Sequence, residues 1–132
     1  MNELLNQVIE HIYVNDDNTL IVFKTQDDKV FAYRAYGDCC SHSWVNTLSG
    51  ISNLLDRTIQ KVIPNKEVRD DSDDNGSVIK YYGITLETVK GFVDVEYRNS
   101  SNGYYGGSLD FVKDYEISDK EPLTEIHTDF DK

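Results

Sequence analysis

The sequence predicts an α+β domain: a mostly antiparallel sheet of about six or seven strands with one helix packed on one face. Three observations carry this. Short runs rich in β-branched and aromatic residues recur along the chain, separated by Asn, Asp and Gly turns. One stretch, from Trp44 to Leu55, instead spaces its apolar residues as a helix does. The chain has 132 residues, of which 39% are hydrophobic and 11% aromatic, and that is enough to build one core.

The elements follow in order. Residues 2–7 offer a short helical turn. Residues 8–14 (VIEHIYV), 19–25 (TLIVFKT) and 29–35 (KVFAYRA) read as a three-stranded antiparallel meander, turning at Asn15-Asp16-Asp17-Asn18 and at Gln26-Asp27-Asp28. Within the third run, Val30, Ala32 and Arg34 alternate with Phe31, Tyr33 and Ala35, so one sheet face is expected to be wetter. The helical stretch places Trp44, Val45, Leu48, Ile51, Leu54 and Leu55 on one face. Ser41 or Ser43 can cap its start, and Gly50 can break it in two. Residues 58–63 return to β character and end at Pro64. Residues 65–77 form a polar, acidic loop. Residues 78–88 and 91–98 make a hairpin turning near Thr88-Val89-Lys90-Gly91. After the Gly/Asn/Ser loop 99–107 comes a last strand, 108–115. These elements set the domain at residues 1–115, followed by an acidic, partly ordered tail at 116–132.

Charge excludes several classes. Lys and Arg total 13 against 24 Asp and Glu, a formal charge of −11. Nucleic-acid binders carry a basic footprint, and anionic membranes attract basic surfaces, so neither partner is expected. No apolar run has the length of a membrane span. The first residues, MNELLNQVIEHIYV, carry no basic stretch and no long apolar run, so a cytoplasmic location is expected. Cys39 and Cys40 are neighbours, which disfavours a disulfide between them and suits two thiols in a reducing compartment. Self-association as a homodimer stays open.

Three segments could carry chemistry. Gly37-Asp38-Cys39-Cys40-Ser41-His42-Ser43-Trp44 gathers thiols, an imidazole, a carboxylate and hydroxyls. Thiolate and imidazole ligate zinc, but adjacent cysteines diverge and no second pair exists, so no metal or other cofactor is expected. A thiol at a helix start can be activated, yet a Cys–His pair needs a spatial geometry that proximity in sequence does not supply. A core cysteine, capping serines and an anchoring Trp44 is the stronger reading. The second segment is Arg98-Asn99-Ser100-Ser101-Asn102-Gly103-Tyr104-Tyr105-Gly106-Gly107. Its glycines and asparagines can turn backbone N–H groups toward a ligand, Arg98 can grip an anion, and Tyr104 and Tyr105 can stack on one. It matches neither a P-loop nor a dinucleotide fingerprint, and an elaborate hairpin loop whose side chains bond their own backbone is the slightly stronger reading. In the third, Asp71, Asp73, Asn75 and Gly76 match the first positions of a calcium loop, but Tyr82 stands where a bidentate Glu is required. A solvated acidic hairpin fits better.

The stretches GDCCSHSW (37–44) and RNSSNGYYGG (98–107) resemble signature segments of a family of small uncharacterised proteins from bacteriophages and bacterial genomes. The intervening VNTLSGISNLLDRTIQKV resembles that family too, and the resemblance covers residues 8–112 but not the acidic tail. It implies no activity and no catalytic residues. What it implies is a phage or prophage accessory gene.

Three functions compete. The first, and the expected one, is a non-enzymatic acidic protein that inhibits a host defence or nucleic-acid-processing protein with a basic surface. Glu67, Asp70, Asp71, Asp73 and Asp74 would imitate phosphates, helped by Asp114, Glu116, Asp119, Glu121, Glu125, Asp129 and Asp131 of the tail. The second is a nucleotide or other small-molecule binder. Its contacts would be Arg98, Asn99, Ser100, Asn102, Tyr104 and Tyr105, with Asp38, Cys39, His42 and Trp44 from the other segment. The third is a thiol- or metal-dependent enzyme at Cys39, Cys40 and His42. If the two unusual segments converge in space, the ligand or enzyme readings gain; if they sit apart beside a continuous acidic face, the inhibitor gains.

Overall fold

The computed structural model describes residues 1–37, 41–64, 69–72 (backbone only), 78–101 and 106–131. After a 3-10 turn at Asn2–Leu4, the expected meander forms as β1 (Ile9–Asn15), β2 (Leu20–Thr25) and β3 (Val30–Gly37). Its turns use Asn18 (φ 59) and Asp28 (φ 63), residue types whose short polar side chains tolerate the left-handed region. Thr25 Oγ1 tightens the second turn by accepting from Lys29 N at 3.0 Å and donating to Asp27.

The α+β expectation is overturned. Residues 44–49 belong to a strand, β4 (His42–Ser49), and the only α-helix among the described residues is the four-residue α1 (Ile51–Leu54). The cause is a β-bulge. Val45 pairs with Tyr97 and Thr47 with Glu96, so Asn46 is an extra residue in the ladder. The insertion puts Val45 and Leu48, three apart in sequence, on the same buried face. That is helical spacing produced by a strand. Gly50 then turns the chain at φ 87 into the short helix.

The fold is consequently all-β in its framework, with two antiparallel sheets. The remaining strands are β5 (Lys61–Pro64), β6 (Arg69–Ser72), β7 (Val78–Thr88), β8 (Gly91–Ser101), β9 (Gly107–Val112), β10 (Leu123–Glu125) and β11 (Phe130–Asp131). The first sheet runs β10-β1-β2-β3-β9, and the second runs β11-β4-β8-β7-β5, with β6 also paired to β7. The β7–β8 hairpin turns at the expected Thr88–Gly91. β5 and β6 lie end to end along one edge of β7, so β6 makes a strand inside the stretch expected as loop 65–77. Its sequence, Arg69-Asp70-Asp71-Ser72, is charged in the manner of protected edge strands.

The sheets pack face to face. Ile9, Ile12, Ile21, Phe23 and Tyr33 of the first meet Val45, Leu48, Leu86, Val93 and Val95 of the second, with Leu4, Ile51, Leu54 and Ile59 closing the ends. Burial, and then the hydrogen bond from Tyr33 Oη to Glu3 at 2.9 Å, push the Tyr33 hydroxyl far above its ordinary pKa.

The face of β3 that carries Val30, Ala32 and Arg34 does not stay wet. Leu20, Val22 and Ala32 are fully buried there, under Tyr115 and Leu123 of the C-terminal segment. Glu121 fixes this strap. It accepts two hydrogen bonds from Arg34, at 2.8 and 3.1 Å, and one from Asn15 at 3.2 Å. The Arg34 guanidinium in particular holds the Glu121 carboxyl below its usual range. Beyond it, Glu125 pairs with His11. Asp129 accepts from the backbone N–H groups of Gly50 and Ile51 at 3.0 and 2.9 Å. Asp131 accepts from Asn46 and Thr47 at 2.9 and 3.0 Å.

Two outcomes are expected. Gly50→Ala should cost about 2 kcal/mol or more in urea melts, because φ is positive and the new Cβ would lie 2.4 Å from Phe92 O. Glu121→Gln should flatten the acid limb of the stability curve. A carboxyl depressed by folding stabilises above its unfolded pKa and loses that contribution as pH falls through the folded value. An unchanged acid limb in Glu121→Gln would show that the pair is not coupled to folding.

Candidate functional site

The two unusual segments converge. The chain crosses from the first sheet to the second after Gly37 and returns before Gly107, and these two residues pair with each other at the ends of β3 and β9. Directly behind them, His42 pairs with Ser100 and Ser43 with Asn99 at the ends of β4 and β8. The strand ends that flank both crossovers therefore lie side by side at one end of the sandwich.

Strand alternation then divides the predicted contact residues between two faces. Asn99 points inward and is fully buried. Its Nδ2 donates to Ser43 Oγ at 2.8 Å and Ser41 Oγ at 3.1 Å, while its Oδ1 has no hydrogen-bond partner among the described residues. The glycines fit against this cluster. A Cβ at Gly37 would come within 2.4 Å of Ser41 Oγ, and one at Gly107 within 2.4 Å of Ser43 Oγ. Gly107 N donates to Tyr82 Oη at 3.2 Å, and the Tyr82 ring stacks on Tyr97 at 4.9 Å. The serines expected to cap a helix instead bind Asn99 in the sheet interior.

Arg98, Ser100, His42 and Trp44 face the other way, on the outer surface of the second sheet. The register sets Tyr81, Arg98 and Trp44 in one row across β7, β8 and β4, with Ile79, Ser100 and His42 in the next. The Arg98 guanidinium lies over the Tyr81 ring at 4.4 Å, a cation–π contact, and its Nε binds Glu96 at 3.3 Å. Its terminal nitrogens carry no hydrogen bond among the described residues. Beside it, exposed His42 stacks on half-buried Trp44 at 5.3 Å and 20°. Trp44 Nε1 donates to Asn46 Oδ1 at 3.0 Å, which fixes the indole. Sequence reasoning missed Tyr81 and Glu96. The β7–β8 register brings Tyr81 to Arg98, while Glu96 reaches it as the next residue on the same face of β8.

Asp38, Cys39, Cys40, Asn102, Tyr104 and Tyr105 lie outside the described residues, as do Glu67, Asp73 and Asp74. Asp70 and Asp71 sit on β6, opposite Lys80 and Ile79. Of the tail acids, Glu121, Glu125, Asp129 and Asp131 hold the chain to itself. They are anchors of the fold. A cleft of about 470 Å³ lies under the strap on the outer face of the first sheet, lined by Tyr13, Asp119, Glu121, Pro122 and Leu123. Among the described residues, no group of three His, Cys, Asp or Glu side chains is placed to hold a metal ion. No helix there is long and apolar enough to cross a membrane.

Fold and site define a two-sheet antiparallel β-protein with a polar, glycine-backed crossover end and an aromatic–guanidinium row on one open face. The chain belongs to the DUF7448 family, a domain of unknown function, which it matches over residues 2–111. No curated protein and no solved structure matches it.

Gly107→Ala is expected to cost about 1–3 kcal/mol in denaturant melts, because the new methyl meets Ser43 Oγ and Asn99 Cβ. Ser43→Ala removes the nearer clash, so the double variant should be less destabilised than the two single variants sum to. Simple additivity would show that the glycine is not set by this contact.

Proposed function

We propose that this chain is a non-enzymatic binding protein that takes a small ligand carrying a planar ring and an anionic group, with nucleotides as the chemical class. The ligand lies on the outer face of the second sheet at the crossover end. One observation carries the reading: Arg98 is stacked on Tyr81 and tied through Nε to Glu96, leaving its terminal N–H groups held in a fixed orientation beside an exposed ring stack. A guanidinium fork with its stem already ordered loses little freedom on gripping a phosphate or carboxylate. Trp44 and His42 offer a flat ring surface next to it. The overall charge of −11 and the register position of Asp71 on β6, opposite Ile79, oppose an anion, whereas Glu96 is already paired with Arg98.

Convergence of residues 37–44 and 98–107 supports the ligand reading over phosphate mimicry. The loss of Glu121, Glu125, Asp129 and Asp131 to internal contacts removes much of the mimicking surface. The proposed setting is the cytoplasm of a bacterial host, with the gene carried by a phage or prophage.

Trp44 is the sole tryptophan, so its fluorescence reports the site directly. Nucleoside mono-, di- and cyclic phosphates titrated into the full chain should quench it saturably. Arg98→Ala should weaken the effect at least about tenfold, or 1.4 kcal/mol. No saturable quenching with any of them at millimolar concentration would overturn the proposal.

A further inference from the structure

The row that holds Arg98 extends one strand beyond the proposed site. The register sets Arg69 of β6 opposite Tyr81 of β7, Tyr81 opposite Arg98 of β8, and Arg98 opposite Trp44 of β4. Residues directly opposite one another in a ladder belong to the same face of the sheet. The order across the outer face is therefore arginine, tyrosine, arginine, tryptophan. Neighbouring strands lie about 4.8 Å apart, so Arg98 stands one spacing from Trp44 and Arg69 stands three spacings from it, about 14 Å. The Arg98 guanidinium already leans toward β7, 4.4 Å over the Tyr81 ring. The next row runs Asp71, Ile79, Ser100 and His42, so the register also sets one acid beside the row of Arg69 at the β6 edge.

We infer that Arg69 is a second anion contact of the proposed site, and that the ligand class narrows to nucleotides with more than one phosphate. The inference rests on the nucleotide reading above. With the ring on Trp44 and His42, the first phosphate falls at Arg98, one strand spacing away. A monophosphate ends there. Only a di- or triphosphate chain continues across Tyr81 toward β6, to the register position of Arg69. Arginine suits this place because its planar fork stays charged and matches phosphate oxygens. The sign of the effect is diagnostic. Each added phosphate adds negative charge, so without a second cation the overall charge of −11 makes the longer chain bind less well. A second arginine in the row reverses that order. Asp71 works against it from the next row, and the balance between the two sets the preferred phosphate number.

The test is Trp44 fluorescence of the full chain, titrated with the mono-, di- and triphosphate of one nucleoside in buffer free of divalent cations. The triphosphate should bind at least about tenfold tighter than the monophosphate. Arg69→Ala should weaken the triphosphate at least about tenfold and leave the monophosphate within about twofold. Asp71→Asn should act in the opposite direction, strengthening the triphosphate more than the monophosphate, and it carries the test if circular dichroism shows Arg69→Ala to be unfolded. Saturable binding with equal affinity for mono- and triphosphate, an unchanged triphosphate affinity in Arg69→Ala, or an equal loss of both ligands there would overturn this inference and leave the nucleotide reading standing. No saturable quenching by any of the three would overturn both.

Discussion

The structure depends on two strand ends without side chains. At Gly37 and Gly107 the first sheet comes so close to the second that the Ser41 and Ser43 hydroxyls occupy the space a Cβ would need. Asn99 draws both hydroxyls together, and so fixes where the chain passes from one sheet to the other in each direction. A buried amide donating to two hydroxyls satisfies three polar groups at once, which an apolar interior requires. Its remaining oxygen is buried and has no hydrogen-bond partner among the described residues, a point of polar tension. From this closure follow the stacking of the sheets, the pairing of β3 with β9 and of β4 with β8, and the convergence of two segments far apart in sequence.

The sandwich is asymmetric. One outer face is sealed by a strap in which Leu123 and Tyr115 cover Leu20, Val22 and Ala32. Burying Leu20 and Val22 is worth about 1.5–3 kcal/mol each, so the strap is part of the stable fold. Its carboxylates are oriented inward or along the chain, on Arg34, His11, Gly50, Ile51 and Asn46. On the other outer face His42, Phe92 and Ile63 are exposed, and Trp44, Tyr81 and Arg98 are half-buried. The net charge of −11 is thus distributed by role: part of it fastens the tail, and part lines the edge strand and the open face.

Much of the fold was legible. The meander and the β7–β8 hairpin follow from β-branched runs and Asn, Asp and Gly turns, all local features. The helix expected from Trp44 to Leu55 was not a failure of pattern reading alone. A bulge at Asn46 displaces the alternation by one residue, and the resulting spacing of Val45 and Leu48 equals that of a helical turn. Asn46 is held in the bulge by Trp44, Thr47 and Asp131, the last of these 85 residues away. No local window contains that contact.

The site divides in the same way. The sequence by itself determined which segments are unusual, that Arg98 can grip an anion, and that the acids gather in residues 67–74 and the tail. It determined these because they are properties of composition and residue type. Only the tertiary structure decided that Arg98 rests on Tyr81, that Asn99 turns inward while its neighbours turn outward, and that Glu121, Glu125, Asp129 and Asp131 bind the chain itself. The physical reason is register. Which residues face one another across a sheet depends on long-range pairing, and a shift of one residue would exchange every inward side chain for an outward one.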